Sequence, residues 1–434
     1  MNFSPGISAQ GASIKEVGMK KNSEGALSIL VGILILLAGA AAVFYAAYKV
    51  SYVSVDYGIH VNIAKELDWS DPVRMLKEHP EPVWHLLVRA AMMAGGFGAE
   101  RAAGLVSGGL CALTFLLAAH FLYHMPAGTR GGAGLSMPGA AFFALVLSLV
   151  SALYVPWFND KPYLGQGSPN PWHNPTTIMV RPIGLLIFML VMGECMRVSR
   201  AGFRRGQGLR LWKGVLIAVL LVLSNLSKPS FVQVFYPAIF LLMVLWLFVY
   251  RFRNFGFALQ LLVCCLPSVA LMGLQFMAAF YGSSNSDSAG VMIAPFKVAG
   301  LYTDNIPVST LLVLAFPLVM LLCSVIRRTF DWTAAFAWIM LLVGIAEKFL
   351  LAEGGSRMSH GNFSWGYTLA LYFVWFIAVR DFALWGSAMR AEPGTGARKV
   401  LPALVFCFSG ILLMLHLFSG LYYLYYLIVL GHGI

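Results

Sequence analysis

The chain has 434 residues, of which 59% are hydrophobic and only 11% are charged. Because a soluble domain carries roughly 25% charged residues, this composition excludes an ordinary soluble protein and predicts an all-α, polytopic membrane protein. The net charge of +12 would suit a nucleic-acid partner only if the cations gathered on one soluble surface.

Apolar runs of membrane-spanning length recur along the whole chain. The first, residues 26–48, follows Lys15, Lys20 and Lys21, so the positive-inside rule predicts a cytoplasmic N-terminus. We predict a single transmembrane domain over 1–434 with eleven spans: 26–48, 102–124, 137–156, 182–198, 211–227, 231–250, 257–281, 307–326, 332–351, 366–384 and 401–428. The run 83–97 is shorter and contains Arg89, which favours a helix lying on the membrane surface.

The loops between these spans differ in charge according to their side of the membrane. The predicted cytoplasmic segments carry 18 lysines and arginines against 6 acids, whereas the outer segments carry 12 of each. The excess charge is therefore an orientation signal that faces anionic lipid, and nucleic acid is not an expected partner. The six cysteines all lie in apolar runs, without the spacing of a disulfide framework or a metal site.

The first outer loop, residues 49–101, begins with a candidate catalytic pair. Ile59, Ile63 and Leu67 recur every four residues, which predicts a short amphipathic helix on the membrane. Asp56 and His60 share another face of that helix. Asp56 could accept a proton from a hydroxyl nucleophile while His60 tunes it or binds phosphate. The structural alternative is that Asp56 caps the helix and His60 is only solvated.

The second outer loop, residues 157–181, is the most polar and most punctuated segment of the chain. Its prolines and glycines exclude a plain helix and favour a shaped, rigid loop. We predict that it forms one wall of an active site at the membrane surface. Arg181, at the mouth of the fourth span, would suit bidentate phosphate binding, or else it snorkels to the interface. The candidate binding residues are Lys161, Tyr163, Trp172, His173, Asn174 and Arg181.

Two further elements on the outer side carry candidate cations. Lys228 lies at the outer end of the fifth span, at a depth where a lysine is usually functional unless it snorkels. The loop 352–365 contributes Arg357 and His360, with glycines that would let the backbone approach a ligand, or else it is an ordinary turn. The neighbouring pair Glu347 and Lys348 is interpreted as a structural pair that neutralises itself.

A cytoplasmic N-terminus, one span and a long outer loop that opens with an aspartate and carries membrane-surface helices together resemble the GT-C superfamily of polytopic glycosyltransferases. In that superfamily the first outer loop typically carries a catalytic Asp or Glu, and the matching position is Asp56. The segments Pro171–Thr176, Arg181–Pro182 and Ser227–Ser230 are similar to bacterial membrane proteins associated with this group. The resemblance in architecture covers most of the chain.

The resemblance implies transfer of a sugar from a polyprenyl-phosphate carrier to a glycan, lipid or protein acceptor on the outer face of the plasma (inner) membrane. Asp56 would be the general base. Arg181, Lys228, Arg357 and His360 would hold the lipid phosphate, and Tyr163 and Trp172 would stack on a sugar. The family's frequent paired acidic signature is not evident, because Asp56 is followed by Tyr57 and the next acid is Glu66. A divalent cation is therefore the one cofactor left open.

Two alternatives stay open at this point. An O-antigen-type polymerase or ligase would join lipid-linked glycans on the same face and would depend more on arginines than on a carboxylate. A flippase or transporter of a lipid-linked sugar would carry out no chemistry. That class usually needs polar groups at the mid-membrane and often has inverted repeats.

Overall fold

The structure, a computed structural model, describes residues 25–125, 134–203, 208–281, 290–391 and 400–431. Within these ranges the chain is mainly α-helical. The first half contains eight helices: α1 (Ala26–Val50), α2 (Val55–Glu66), α3 (Pro72–Glu78), α4 (Val83–Gly95), α5 (Ala99–His124), α6 (Met137–Leu149), α7 (Pro175–Arg200) and α8 (Leu211–Ser227). The second half contains six: α9 (Ser230–Val249), α10 (Phe255–Tyr281), α11 (Ile306–Ile326), α12 (Trp332–Leu350), α13 (Ser364–Ala391) and α14 (Val400–Ile428).

Nine of the described helices are long and apolar enough to cross a membrane: α1, α5, α7 and α9 to α14. The chain is thus a multi-pass membrane protein by the length and composition of its helices. Two of the eleven predicted spans are shorter helices. The predicted span 211–227 is the 17-residue α8, and 137–156 holds only the 13-residue α6. At 1.5 Å per residue α6 is about 20 Å long, which is less than a hydrocarbon core of about 30 Å.

The chain after α6 continues as irregular backbone that is held by other helices. Ser151 N–H donates to the carbonyl of His416 at 3.2 Å, and Leu153 N–H donates to the carbonyl of Leu312 at 2.9 Å. The His416 ring closes the arrangement, since its Nδ1 lies 2.7 Å from the Ser151 carbonyl. Non-helical backbone is tolerated at such a position because protein groups satisfy its polar atoms.

α7 and α13 form the centre of the bundle. Their most apolar windows are 78% and 89% buried, against 44% or less for the other seven candidate spans. Aromatic stacking joins them, with the rings of Phe188 and Phe373 4.8 Å apart. Residues carried at the ends of these two helices are therefore held by the best-packed part of the molecule.

The prediction that 83–97 forms a short, non-spanning helix agrees with α4, which has 13 residues. α2 and α3 also lie in the first predicted outer loop, and α2 packs on α4 through Tyr57 and Trp84, whose rings are 5.9 Å apart. The sequence analysis did not predict the two-stranded antiparallel sheet of β1 (Val291–Ile293) and β2 (Leu351–Glu353). This sheet ties two predicted outer loops together beside the end of α12.

A buried acid, Glu194, lies near the C-terminal end of α7. Glu194 is fully buried and pairs with Arg197 at 2.7 Å and Lys213 at 2.9 Å, and also with Arg210. These cations belong to the most basic predicted cytoplasmic segment, so the cluster joins α7 to α8 at one end of the bundle. A buried carboxylate with three cationic partners needs no functional explanation, because the partners compensate its desolvation.

Candidate functional site

A cavity of about 220 Å³ lies where several polar segments converge at the end of the bundle predicted to be extracytoplasmic. It is formed by the start of α2, the loop before α7, the end of α12 and the start of α13. The polar and aromatic side chains that line it are those of Ser54, Asp56, Tyr163, His173, Tyr302, Lys348, His360, Ser364, Trp365, Tyr367 and Thr368. The predicted first, second and 352–365 outer loops therefore do meet at one site.

Asp56 enters this cavity from the first turn of α2. It is not the helix cap, because α2 begins at Val55 and its N-cap residue is Ser54, so the capping alternative for Asp56 is wrong. Its Oδ2 accepts a hydrogen bond from Asn174 Nδ2 at 3.3 Å. Burial raises the pKa of Asp56, while the Asn174 hydrogen bond and the charge of Lys228 oppose that rise.

Asn174 joins this carboxylate to a buried cation. As the N-cap of α7, Asn174 accepts through Oδ1 from the Thr177 N–H at 3.0 Å. The same oxygen accepts from Lys228 Nζ at 3.3 Å, and Lys228 also donates to Thr176 Oγ1 at 2.8 Å. Asp56, Asn174 and Lys228 thus form one hydrogen-bonded chain, which the sequence analysis named residue by residue but did not predict as a unit.

Lys228 itself lies behind the cavity, between α8 and α9. It is only 5% exposed, and its Nζ lies 4.7 Å from the centre of the Trp365 ring. No ion pair joins it to an acid within the part of the chain that the structure describes. The buried position agrees with the expectation that this lysine is too deep for simple snorkelling. Its charge is balanced by neutral oxygens, an aromatic face and the nearby Asp56 carboxylate.

His173 is held in an aromatic frame on the cavity wall. Its Nδ1 shares a hydrogen bond of 2.8 Å with the Tyr423 hydroxyl, and its ring meets Tyr163 edge-on at 4.5 Å. Burial lowers the pKa of His173 to about 3, so the ring is neutral at pH 7. A neutral imidazole can orient a ligand by hydrogen bonding, but it supplies no charge for a phosphate.

Lys348 is a cavity residue that the sequence analysis missed. Its Nζ donates to the Gly165 carbonyl at 3.3 Å and lies 4.1 Å from the centre of the Tyr367 ring. The interpretation that it pairs with Glu347 is wrong, because no ion pair joins them among the described residues and consecutive helix positions point about 100° apart. Lys348 was not predicted as a site residue because it lies at the end of an apolar helix. A lysine at such a depth in a membrane span nevertheless indicates a functional site.

Gly165 shapes the wall opposite Lys348. Its φ of +88° favours glycine, and a Cβ there would lie 2.8 Å from the Tyr302 carbonyl oxygen. The loop can therefore present its carbonyl to Lys348 only with glycine at this position. This supports the prediction of a shaped loop for residues 157–174. The predicted end of the loop at residue 181 is wrong, because residues 175–181 are the start of α7.

Several predicted site residues do not line the cavity. Lys161 is exposed to solvent, and Trp172 is packed in the core. Arg181 is buried behind the wall, where Nη1 donates to Asn170 Oδ1 at 3.2 Å and the guanidinium faces the Tyr372 ring. It does not snorkel to the interface. The side chain of Arg357 lies outside the described part of the structure, so its role in phosphate binding stays a prediction.

His60 also points away from the cavity, into a histidine pair. Its Nδ1 lies 2.9 Å from His85 Nε2, and His85 Nδ1 lies 3.0 Å from the Glu81 carbonyl. Burial lowers the pKa of His60 to about 3 and that of His85 to about 4. His60 therefore supports the base of α2 rather than reaching the space beside Asp56, and it is not solvated.

The residues around Asp56 do not fit a protein-held divalent cation. Its described polar neighbours are an amide that donates to it and the Lys228 ammonium, and no described group of three or more His, Cys, Asp or Glu side chains could hold a metal. A hard cation needs several oxygen ligands. The described side chains around Asp56 therefore support no step at a protein-held metal.

No protein-family model matches the chain, and no curated protein is significantly similar to it.

Proposed function

We propose that this protein is an integral-membrane glycosyltransferase that moves a sugar from a polyprenyl-phosphate donor to an acceptor, with Asp56 as the general base. The single observation that supports this most is the cavity that combines one carboxylate, Asp56, with the buried cation Lys348 and a wall of aromatic rings. A sugar phosphate presents the complementary chemistry: a hydroxylated ring next to an anion.

The environment of Asp56 suits a base. Its pKa is raised by burial, which brings its proton affinity closer to the working pH. The opposing hydrogen bond from Asn174 keeps the carboxylate able to ionise at pH 7. A general base needs both properties, because it must be deprotonated at rest and must bind a proton well in the transition state.

The remaining walls suit the donor. Trp365 and Tyr302, which are partly exposed, offer ring faces for an apolar sugar surface. Lys348 lies in a poorly solvated space, where its ammonium form would pair strongly with a phosphate oxygen.

These positions support the following reaction. Asp56 takes the proton of an acceptor hydroxyl while the acceptor oxygen bonds to the anomeric carbon of the donor sugar. The bond from that carbon to the phosphate oxygen breaks, and polyprenyl phosphate leaves with the electron pair. Lys348 stabilises the charge that develops on the leaving group, and Lys228 adds positive potential through Asn174.

The decisive experiment uses purified protein in nanodiscs with a panel of radiolabelled polyprenyl-phosphate sugars and candidate acceptors. We expect Asp56→Asn to lower the transfer rate at least a hundredfold, because the loss of a general base typically lowers a rate by about 10²–10⁴-fold. Asp160→Asn is the matched control, since Asp160 is an exposed acid of the second outer loop that does not line the cavity.

Each alternative function has its own outcome in this assay. Full transfer by Asp56→Asn, with the protein still folded, would exclude Asp56 as the base. Loss of glycan joining only in Arg181→Ala and Arg357→Ala would favour a polymerase or ligase. Exchange of labelled donor across liposomes without chemical turnover would favour a transporter. We further propose a plasma-membrane location with this cavity on the extracytoplasmic side, because the positively charged loops lie at the other end.

A further inference from the structure

A second cavity lies at the opposite end of the bundle. Its volume is about 770 Å³, and it opens between the last turns of α7, the start of α12 and the inner half of α13. It shares no residue with the Asp56 cavity. Nothing in the proposed transfer reaction uses it, and its size falls within the range of ligand-binding cavities.

The inner wall of this cavity is made largely of methionine. Met125 comes from the end of α5, and Met189, Met192 and Met196 come from one face of α7. Methionine is unbranched and polarizable, so a wall of methionines adapts to a flexible apolar chain. The methionine wall offers almost no hydrogen-bonding groups, so it would bind a peptide backbone poorly.

The mouth of the cavity is cationic. Arg197 and Arg380 line it but are already paired, with Glu194 at 2.7 Å and with Asp331 at 3.0 Å respectively. Arg200 is exposed at the same mouth and makes no ion pair or side-chain hydrogen bond within the described residues. It is thus the cation at this mouth whose charge is left to bind a ligand.

The wider surroundings have the same sign. The cations Arg197, Arg200, Arg210, Lys213 and Arg380 outnumber the acids Glu194, Asp331 and Asp381 at this end of the helices. The potential at the mouth therefore favours an anion over a zwitterion, whose own ammonium group would be repelled. Basic pockets between helices on the positively charged side of a membrane protein suit anionic lipid headgroups.

We propose that this cavity holds an anionic phospholipid, with one acyl chain on the methionine wall and the phosphate on Arg200. The two halves of the cavity match the two halves of that molecule. A bound lipid would brace α5, α7, α12 and α13 against one another at the end of the bundle opposite the Asp56 cavity. The site is independent of the proposed transferase activity.

The test measures lipid retention. The full chain is reconstituted in nanodiscs of phosphatidylcholine or of phosphatidylcholine mixed with phosphatidylglycerol. It is then extracted gently and examined by native mass spectrometry. We expect phosphatidylglycerol to be retained in preference to phosphatidylcholine. Arg200→Gln should weaken that retention about tenfold or more, the effect of losing one charge-assisted hydrogen bond.

Two further variants make the result specific. Met196→Trp fills the apolar wall without changing charge, and we expect it to reduce retention as well. Arg253→Gln is the matched control, because Arg253 is an exposed arginine on the same predicted face that does not line the cavity. Equal retention of both lipids would overturn the proposal. So would an Arg200→Gln protein that binds like the wild type, or an Arg253→Gln protein that loses as much lipid as Arg200→Gln.

Discussion

His60 Nδ1 lies 2.9 Å from His85 Nε2, and this contact fixes the tautomers of both rings. The Glu81 carbonyl can only accept, so His85 Nδ1 carries a proton and its Nε2, in the neutral ring, is an acceptor. His60 Nδ1 must then donate to it. Both rings are neutral at pH 7 because burial lowers their pKa values to about 3 and about 4.

This pair predicts a loss of stability in mild acid. The unfolded chain binds protons on these histidines near pH 6.5, whereas the folded pair binds them only near pH 3–4. Between those values the unfolded state holds more protons, so stability rises with pH and falls as the pH drops below 6.5. We expect the midpoint of thermal unfolding in detergent to fall when the pH is lowered from 7.5 to 5. The free energy of unfolding should decrease by at most about 1.4 kcal/mol per pH unit for each proton.

The control for this pH dependence removes one histidine at a time. His85→Gln keeps an acceptor for His60 and removes one titrating ring, so its unfolding midpoint should depend less on pH than that of the wild type. His360→Gln changes an exposed histidine at the cavity and should leave the pH dependence unaltered. If His85→Gln follows the wild-type pH dependence, the pair does not govern acid sensitivity.

Lys348 is predicted to hold the donor phosphate, and this rests on the proposed function. Lys348→Met keeps the length of the side chain but removes the charge from the cavity. We expect a loss of about ten- to a hundredfold in affinity for a fluorescent polyprenyl phosphate, the equivalent of one charge-assisted hydrogen bond. Lys161→Met removes the charge of an exposed lysine outside the cavity, and we expect less than a twofold change. A Lys348→Met protein that binds as tightly as the wild type would exclude this role.

The comparison of these two lysines shows what a single sequence can reveal. Lys161 lies in a polar loop whose composition indicates a site, whereas Lys348 lies at the end of an apolar helix whose composition does not. Local composition predicts the helices and their approximate ends because hydrophobic periodicity is a local property. It does not predict which loop residues meet, since contacts such as Asn174 with Asp56 join residues 118 positions apart.

Burial in the core explains two other differences between the predicted and the observed site. Arg181 and Trp172 belong to the same loop and helix start as His173, but they face the core instead of the cavity. Their residue types fit either role, so the sequence alone did not separate a core position from a cavity position. The β1–β2 pairing was missed because three-residue strands are too short to show an alternating pattern.

Asn174 is predicted to tune the base while it caps α7. Asn174→Asp keeps the cap, because aspartate is an equally good N-cap. It removes the donor to Asp56 and puts a second carboxylate beside it, which raises the pKa of Asp56 further. If Asp56 is the base, the acidic limb of kcat/KM should shift upward by about one pH unit or more, with little change in thermal stability.

Asn305→Asp is the matched variant for this shift. Asn305 caps α11 through its Oδ1, which accepts a hydrogen bond from the Val308 N–H at 3.1 Å. Asn305 is exposed and does not line the cavity. We expect its pH profile to match that of the wild type. An unchanged acidic limb in Asn174→Asp would separate Asp56 from the titration that controls catalysis.

Gly420 is predicted to be essential for the contact between α14 and the end of α6. A Cβ at this position would lie 1.7 Å from the Leu149 carbonyl oxygen and 3.0 Å from Ser151 N, both of them backbone atoms. Because backbone cannot rotate out of the way as a side chain can, Gly420→Ala must push α14 away from the irregular segment that leads to the cavity loop. We expect the free energy of unfolding to fall by about 1–3 kcal/mol or more. This would be measured as a lower thermal unfolding midpoint and as reduced transfer.

Gly109→Ala gives the comparison that isolates this contact. Gly109 is also a helical glycine, in α5, but no atom lies within 4 Å of a Cβ built there. Alanine is a better helix former than glycine by about 1 kcal/mol, so this variant should be as stable as the wild type or slightly more stable. Equal stability of Gly420→Ala and Gly109→Ala would mean that α14 does not pack as closely on Leu149 as described. The support for the loop that carries His173 and Asn174 would then have to come from another helix.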